Sequence, residues 1–247
     1  MGNETTKKKM KWPTSYSSIP AAEVEQRLGF RMRNLKRVPT AIMLASAQYS
    51  MEADAVKQTK ERVYQRIVEY LETEGYPTHP DTNFKAANIN DMVYAIISPV
   101  LFDFMRTTGR GGIRLSREKV IISVDSQTGG NEEFVVVDEI SVTEDKTVFI
   151  IEAKDEFVGQ AMRQILLAMK DARGNGGGGV VYGFVTTGEY WQMLTCDGGV
   201  FRITENMEVF RGIGEDTDRW MKECSILVDC LVVSLSNGGI VKDVVVG

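Results

Sequence analysis

Glu152 and Lys154, two residues apart at the end of an apolar run, are the side chains best placed for chemistry. The segment reads Thr147-Val148-Phe149-Ile150-Ile151-Glu152-Ala153-Lys154. Side chains alternate along a strand, so Glu152 and Lys154 point the same way as Val148 and Ile150. Phe149, Ile151 and Ala153 point the other way. A carboxylate and an amine at the end of a buried strand are costly unless they have partners. A Mg²⁺ or Mn²⁺ ion held by carboxylates, with the lysine near an attacking water or a phosphate, would supply them. On Glu-x-Lys alone, an ion pair where the sheet meets water is the commoner arrangement, because short motifs recur by chance.

The elements that must position this pair are legible as changes of period. Val56, Val63, Ile67, Val68 and Leu71 recur at helical spacing over Met51–Glu74, and Gly75-Tyr76-Pro77 stops that helix. A second helix runs over about Asn90–Arg106, with a possible break at Ser98-Pro99, and the stripe Met92, Ile96, Val100 and Phe104 faces the core. Strands follow at Val120–Val124, Phe134–Val142 and Thr147–Lys154, separated by turn residues. The spacing predicts a helix over Glu156–Arg173, closed by the glycine run Gly174–Gly179, and then a strand at Val180–Thr186. A hairpin of Glu189–Thr195 and Val200–Thr204 and a last helix over about Glu215–Ser236 complete the chain. The expected fold is α/β, a mixed sheet with an α-β-β-β-α-β core flanked by helices. Residues 1–50 are expected to form a basic, partly disordered arm, and residues 51–247 the domain.

Composition narrows the chemistry. The chain has 247 residues, 43% hydrophobic and 26% charged, which is ordinary for a globular protein. No apolar run reaches the roughly 18 residues of a membrane-spanning helix, so no membrane partner is expected, and the chain is read as intracellular. Three cysteines, Cys196, Cys224 and Cys230, form no paired framework and read as buried thiols. The single histidine, His79, sits in a proline-bracketed turn, which excludes a Ser/His/Asp triad or a histidine-rich zinc site. Net charge is -5, yet residues 1–40 carry nine Lys/Arg against three acids. Arg106, Arg110, Arg114, Arg117 and Lys119 form a second basic cluster that would face either phosphates or solvent. Lys7-Lys8-Lys9-Met10-Lys11 has the composition of a nuclear-entry signal. Tyr190 and Trp191 could stack bases but fit a sheet core better.

The segment Glu133 to Gln164 resembles the PD-(D/E)xK nuclease superfamily, in particular its RecB-like branch. The resemblance implies a restriction-endonuclease-like sheet in which a strand acid, a Glu-x-Lys and a helix glutamine converge on one metal. Glu152 and Lys154 match the Glu-x-Lys, and Gln160 matches the glutamine; Gln164 stands where that branch has tyrosine. For the strand acid, Gly129-Gly130-Asn131-Glu132-Glu133-Phe134 looks like the family's strand entry, with Glu133 in place of aspartate. Asp138 is the rival, lying roughly opposite Glu152 in a simple hairpin register. Asp91 is a further candidate for a second metal. The resemblance thus implies Glu133 and Glu152 as Mg²⁺ or Mn²⁺ ligands and Glu133, Glu152, Lys154 and Gln160 as the catalytic set, acting on DNA. Phe84–Asp91, Glu132–Asp138, Ala168–Asp171 and Tyr182–Gly188 also look like Crinkler-type proteins of oomycetes and fungi, which implies an intracellular effector acting in nucleus or cytoplasm. The alternative is a catalytically impaired module of the same fold that binds DNA or a host protein.

Overall fold

The strand that carries Glu152 lies in the interior of a nine-stranded mixed sheet. The computed structural model describes residues 12–45, 47–75, 86–154, 158–210, 213 and 217–240. His79, the Lys7–Lys11 run and residues 84 and 85 lie outside the described residues. Strands β3 (Ile113–Ile122), β4 (Thr128–Glu139) and β5 (Asp145–Ala153) form an antiparallel meander. Helix α5 (Val158–Asn175) then crosses over, and β6 (Val181–Thr186) pairs parallel to β5. β7 (Tyr190–Asp197) and β8 (Val200–Ile203) extend the sheet as an antiparallel hairpin, and the short β9 (Met207–Glu208) pairs with β7. This is the expected mixed α/β architecture.

Two hydrophobic cores lie on the two faces, as period-2 alternation requires. On one, helices α3 (Ala53–Glu74), α4 (Ala86–Thr108) and α7 (Ile226–Asn237) pack Ile67, Ile96 and Leu231 against Phe134, Phe149 and Ile151. On the other, α5 and α1 (Ala21–Leu28) pack Ile165, Leu166 and Val24 against Val135, Ile150 and Val185. The two faces interrupt strict alternation once in β5. The β4–β5 register passes from Val136↔Phe149 to Val137↔Thr147, so Val148 is the bulged residue. Val148 therefore joins the α3/α4/α7 core instead of sharing the face of Ile150.

Three expectations change. Residues 12–45, read as part of an arm, belong to the sheet. β1 (Thr14–Ser15) pairs with β4, and β2 (Lys36–Arg37) pairs with β8, both parallel; α1 and α2 (Thr40–Ala45) lie among them. Two-residue strands such as β1 and β2 are too short to carry a period. Pro99 lies inside α4 and does not end it. The last helix divides into α6 (Thr217–Glu223) and α7 at Cys224-Ser225. Among the described residues, no helix is long and apolar enough to cross a membrane.

Candidate active site

The end of β5 is where backbone pairing with β4 gives way to side-chain pairing. Regular pairing reaches Phe134↔Ile151. Beyond it, the Ala153 N–H donates to Oε2 of Glu133 at 2.8 Å, and Lys154 Nζ donates to Oε1 of the same carboxylate at 2.9 Å. On its other side β5 stays fixed to β6 through Glu152↔Val185 and the Lys154 N–H to the Thr186 carbonyl, 2.9 Å. Glu152 is thereby held rigidly at a depth where it has no exposure at all.

β4 contributes two consecutive glutamates to this end, which a strictly alternating strand could not do. Gly130 and Glu132 share the α5 face with Tyr16; Phe134 belongs to the opposite core and Val135 to the α5 core. The alternation slips by one residue at Glu132-Glu133, opposite Glu118 of β3, whose φ is 53°. Gly130 is needed for close approach. A Cβ there would stand 2.7 Å from the Tyr16 ring and 2.8 Å from Oε1 of Glu132.

Glu132 is 0% exposed, like Glu152, and none of the four carboxyl oxygens of this pair has a well-formed hydrogen bond among the described residues. Lys154 Nζ approaches Oε1 of Glu152 to 2.9 Å as an ion pair, and Gln164 and Glu152 lie near enough to Glu132 to alter its proton affinity, but none achieves hydrogen-bond geometry. Burial, then the charge of Glu133, raises the Glu152 pKa to about 7 against the opposing pull of Lys154. Burial, then the neighbouring Glu152, pushes Glu132 well above the carboxylate range. Burial works against the Lys154 ammonium, but the charges of Glu152 and Glu133 outweigh it and hold its pKa up. Lys154 and Glu133 keep 32% and 21% side-chain exposure, so they form the open side of the cluster, with the two buried acids behind.

The other expected residues fall in different places. Gln160 Nε2 donates to the Ser17 carbonyl at 2.8 Å, tying α5 to the loop after β1. Gln164, one turn later and 6% exposed, is the glutamine that reaches Glu132. Asp138 is removed from the site. It registers with Lys146, is held by Arg110 at 2.6 Å, and stands five residues along β4 from Glu133, roughly 17 Å at strand spacing. Asp91 is an exposed residue of α4, near Tyr70 of α3 and across the sheet from α5. The midchain basic cluster is engaged within the fold: Arg110 with Asp138, Arg114 with Glu139, Lys119 with Asp145, and Arg106 and Arg117 over the rings of Phe102 and Phe134. Trp191 is fully buried, donating to the Gly188 carbonyl, while Tyr190 is 41% exposed.

Sequence reasoning passed over Glu132 because alternation assigns it to the face opposite Glu133. Its one signal was adjacency to Gly129-Gly130, where bulges concentrate. Among the described residues no three His, Cys, Asp or Glu side chains converge as a ready metal cage. The donor set nonetheless fits Mg²⁺, which is held by one or two carboxylates and keeps waters or phosphate oxygens for the rest. The carboxyl oxygens of Glu132 and Glu152, which lack hydrogen bonds among the described residues, are the groups such an ion would satisfy. No protein-family model matches the chain, and no curated protein is significantly similar to it.

Proposed function

We propose that the chain is a Mg²⁺- or Mn²⁺-dependent nuclease that hydrolyses phosphodiester bonds of DNA at the Glu132/Glu133/Glu152/Lys154 cluster. One observation carries this reading: two wholly buried carboxyl groups whose oxygens lack well-formed hydrogen bonds, beside a partly exposed lysine just past the end of β5. A purely structural ion pair would not leave a second buried acid unsatisfied. The order α4–β3–β4–β5–α5–β6, with β5 and β6 parallel across α5, supports the restriction-endonuclease-like reading, and the PD-(D/E)xK resemblance agrees with it. A cellular role as a Crinkler-type effector, in nucleus or cytoplasm, rests on the sequence resemblance alone.

Glu152 and Glu132 would hold the metal, which when bound neutralises phosphate charge and lowers the pKa of water. Glu133, fixed by the Ala153 N–H, orients Lys154. The Lys154 ammonium, permanently charged, stabilises the negative charge that develops on the phosphate. Gln164 lies near enough to Glu132 to favour its charged, metal-binding form. In a cleavage assay with supercoiled DNA and Mg²⁺ or Mn²⁺, Glu152→Gln abolishes activity and Lys154→Ala lowers it by about 10²–10³-fold, the usual effect of removing a preorganised charge-stabilising group. Wild-type rates in both variants would refute the assignment.

A second reading is a nuclease-fold module that binds DNA or a protein without cleaving. It is favoured by Gln160, which is tied to Ser17 away from the carboxylates. The two readings separate in a melting experiment, because a ligand that binds only the folded state must stabilise it. If Mn²⁺ raises the melting temperature and Glu152→Ala abolishes the shift, the metal site is real; no shift and no cleavage favour the binding module.

A further inference from the structure

On the sheet face away from Glu152, four side chains from four adjacent strands stand in one cross-strand row. Lys36 of β2 is in register with Arg202 of β8, Arg202 with Thr195 of β7, and Thr195 with Tyr182 of β6. Residues in register share a face. Tyr182 lies in the α3/α4/α7 core, so the row is across the sheet from α5 and the carboxylate cluster. These residues, with Arg37 and Asp197, line a cavity of about 600 Å³.

Three features of the cavity point to an anion. The side chains of Lys36, Arg37 and Arg202 form no ion pair or hydrogen bond with any described residue, unlike the midchain basic cluster. Lys36 and Arg202 stand side by side on neighbouring strands, where like charges repel. Thr195, 6% exposed, has a hydroxyl with no partner, whereas buried hydroxyls are nearly always satisfied. Asp197 offsets only one of the three charges. Burial, then Asp197, raises the Tyr182 phenol to about 12, which keeps it a donor. Apart from Asn237, whose amide is bound to Gln48 and Val233, the remaining wall is apolar, with Pro39, Met43 and Ile42, the last 63% exposed.

We propose that this cavity binds the phosphate group of a small phosphomonoester of nucleotide size. Lys36 and Arg202 pair with the phosphate, Tyr182 and Thr195 donate hydroxyl hydrogen bonds, and the apolar wall covers the organic part. A cleft of this size suits a small ligand, while a polynucleotide follows an extended cationic groove. The site is independent of the proposed nuclease centre.

Calorimetric titration of the full chain tests it, with adenosine 5′-monophosphate, inorganic phosphate and adenosine as probes. The monophosphate is expected to bind once per chain, phosphate to compete with it, and adenosine to bind far more weakly. The double variant Lys36→Gln/Arg202→Gln changes side chains at the open end of the row. It should keep the wild-type melting temperature and weaken monophosphate binding by about tenfold or more, the effect of losing charge-assisted hydrogen bonds. Thr195→Val should weaken it less, and Glu152→Gln not at all. No binding of either phosphate probe, undiminished binding in the double variant, equal affinity for adenosine, or loss of binding in Glu152→Gln would each overturn the proposal.

Discussion

A carboxyl group taken out of water beside another acid gains proton affinity: burial and then Glu133 act so on Glu152, and burial and then Glu152 act so on Glu132. The consequence is a signed pH dependence. The folded-state pKa of Glu152, about 7, stands above its ordinary value of 4.5, so the folded protein binds the extra proton between those values. Stability from that proton is complete below about 4.5 and declines as pH rises through about 7. In chelator, the stability difference between wild type and Glu152→Gln, measured by urea unfolding across this window, should shrink as pH rises in favour of the variant; parallel curves would contradict it. Metal binding competes with the same protons, so Mn²⁺ should stabilise the wild type more at the alkaline end.

At the scale of elements, β1 fills the edge of β4 that β5 leaves free. β5 pairs with Phe134–Glu139, and β1 with Thr128 and Gly129. That docking delivers Tyr16 to the inner side of the carboxylate cluster, where its hydroxyl donates to Oδ2 of Asp171 at 2.6 Å. Burial first, then Asp171, pushes the Tyr16 pKa far up, so it remains a donor. Tyr16→Phe leaves Asp171, 6% exposed, without its partner and should cost about 1–3 kcal/mol in denaturant unfolding. Gly130→Ala drives a methyl into the Tyr16 ring and should cost about 1–3 kcal/mol, the usual range for overpacking. If the alanine variant matched wild type in a melting curve, β1 would not be held as tightly as its contacts indicate.

For the whole molecule, Arg110 joins the sheet to the C-terminal helix. It binds Asp138 of β4 through two nitrogens, at 2.6 and 2.8 Å, and reaches the Leu235 carbonyl of α7 at 2.5 Å. Arg110→Ala should therefore lose about 2–3 kcal/mol, since the partly buried Asp138 is left unpaired. Arg114→Ala, from a pair with both side chains half exposed, should lose about 0–1 kcal/mol. Chemical denaturation of the two variants compares them directly. A mutation of similar type thus reads differently according to what the cation secures.

Local periodicity determined most of the elements, because a strand of alternating apolar residues or a helix with a 3.6-residue stripe encodes its own buried face. It also determined that Glu152 and Lys154 end a core strand and point the same way. It could not determine what meets them. The slip at Glu132-Glu133 and the bulge at Val148 are single-residue shifts of phase, and each moves a side chain to the other face at no cost in composition. The sheet strands at Thr14–Ser15 and Lys36–Arg37 are too short to carry any period. Which acid lies behind Glu152, which glutamine reaches it, and that Asp138 belongs to Arg110 depend on register between distant segments. Only the tertiary structure decides that.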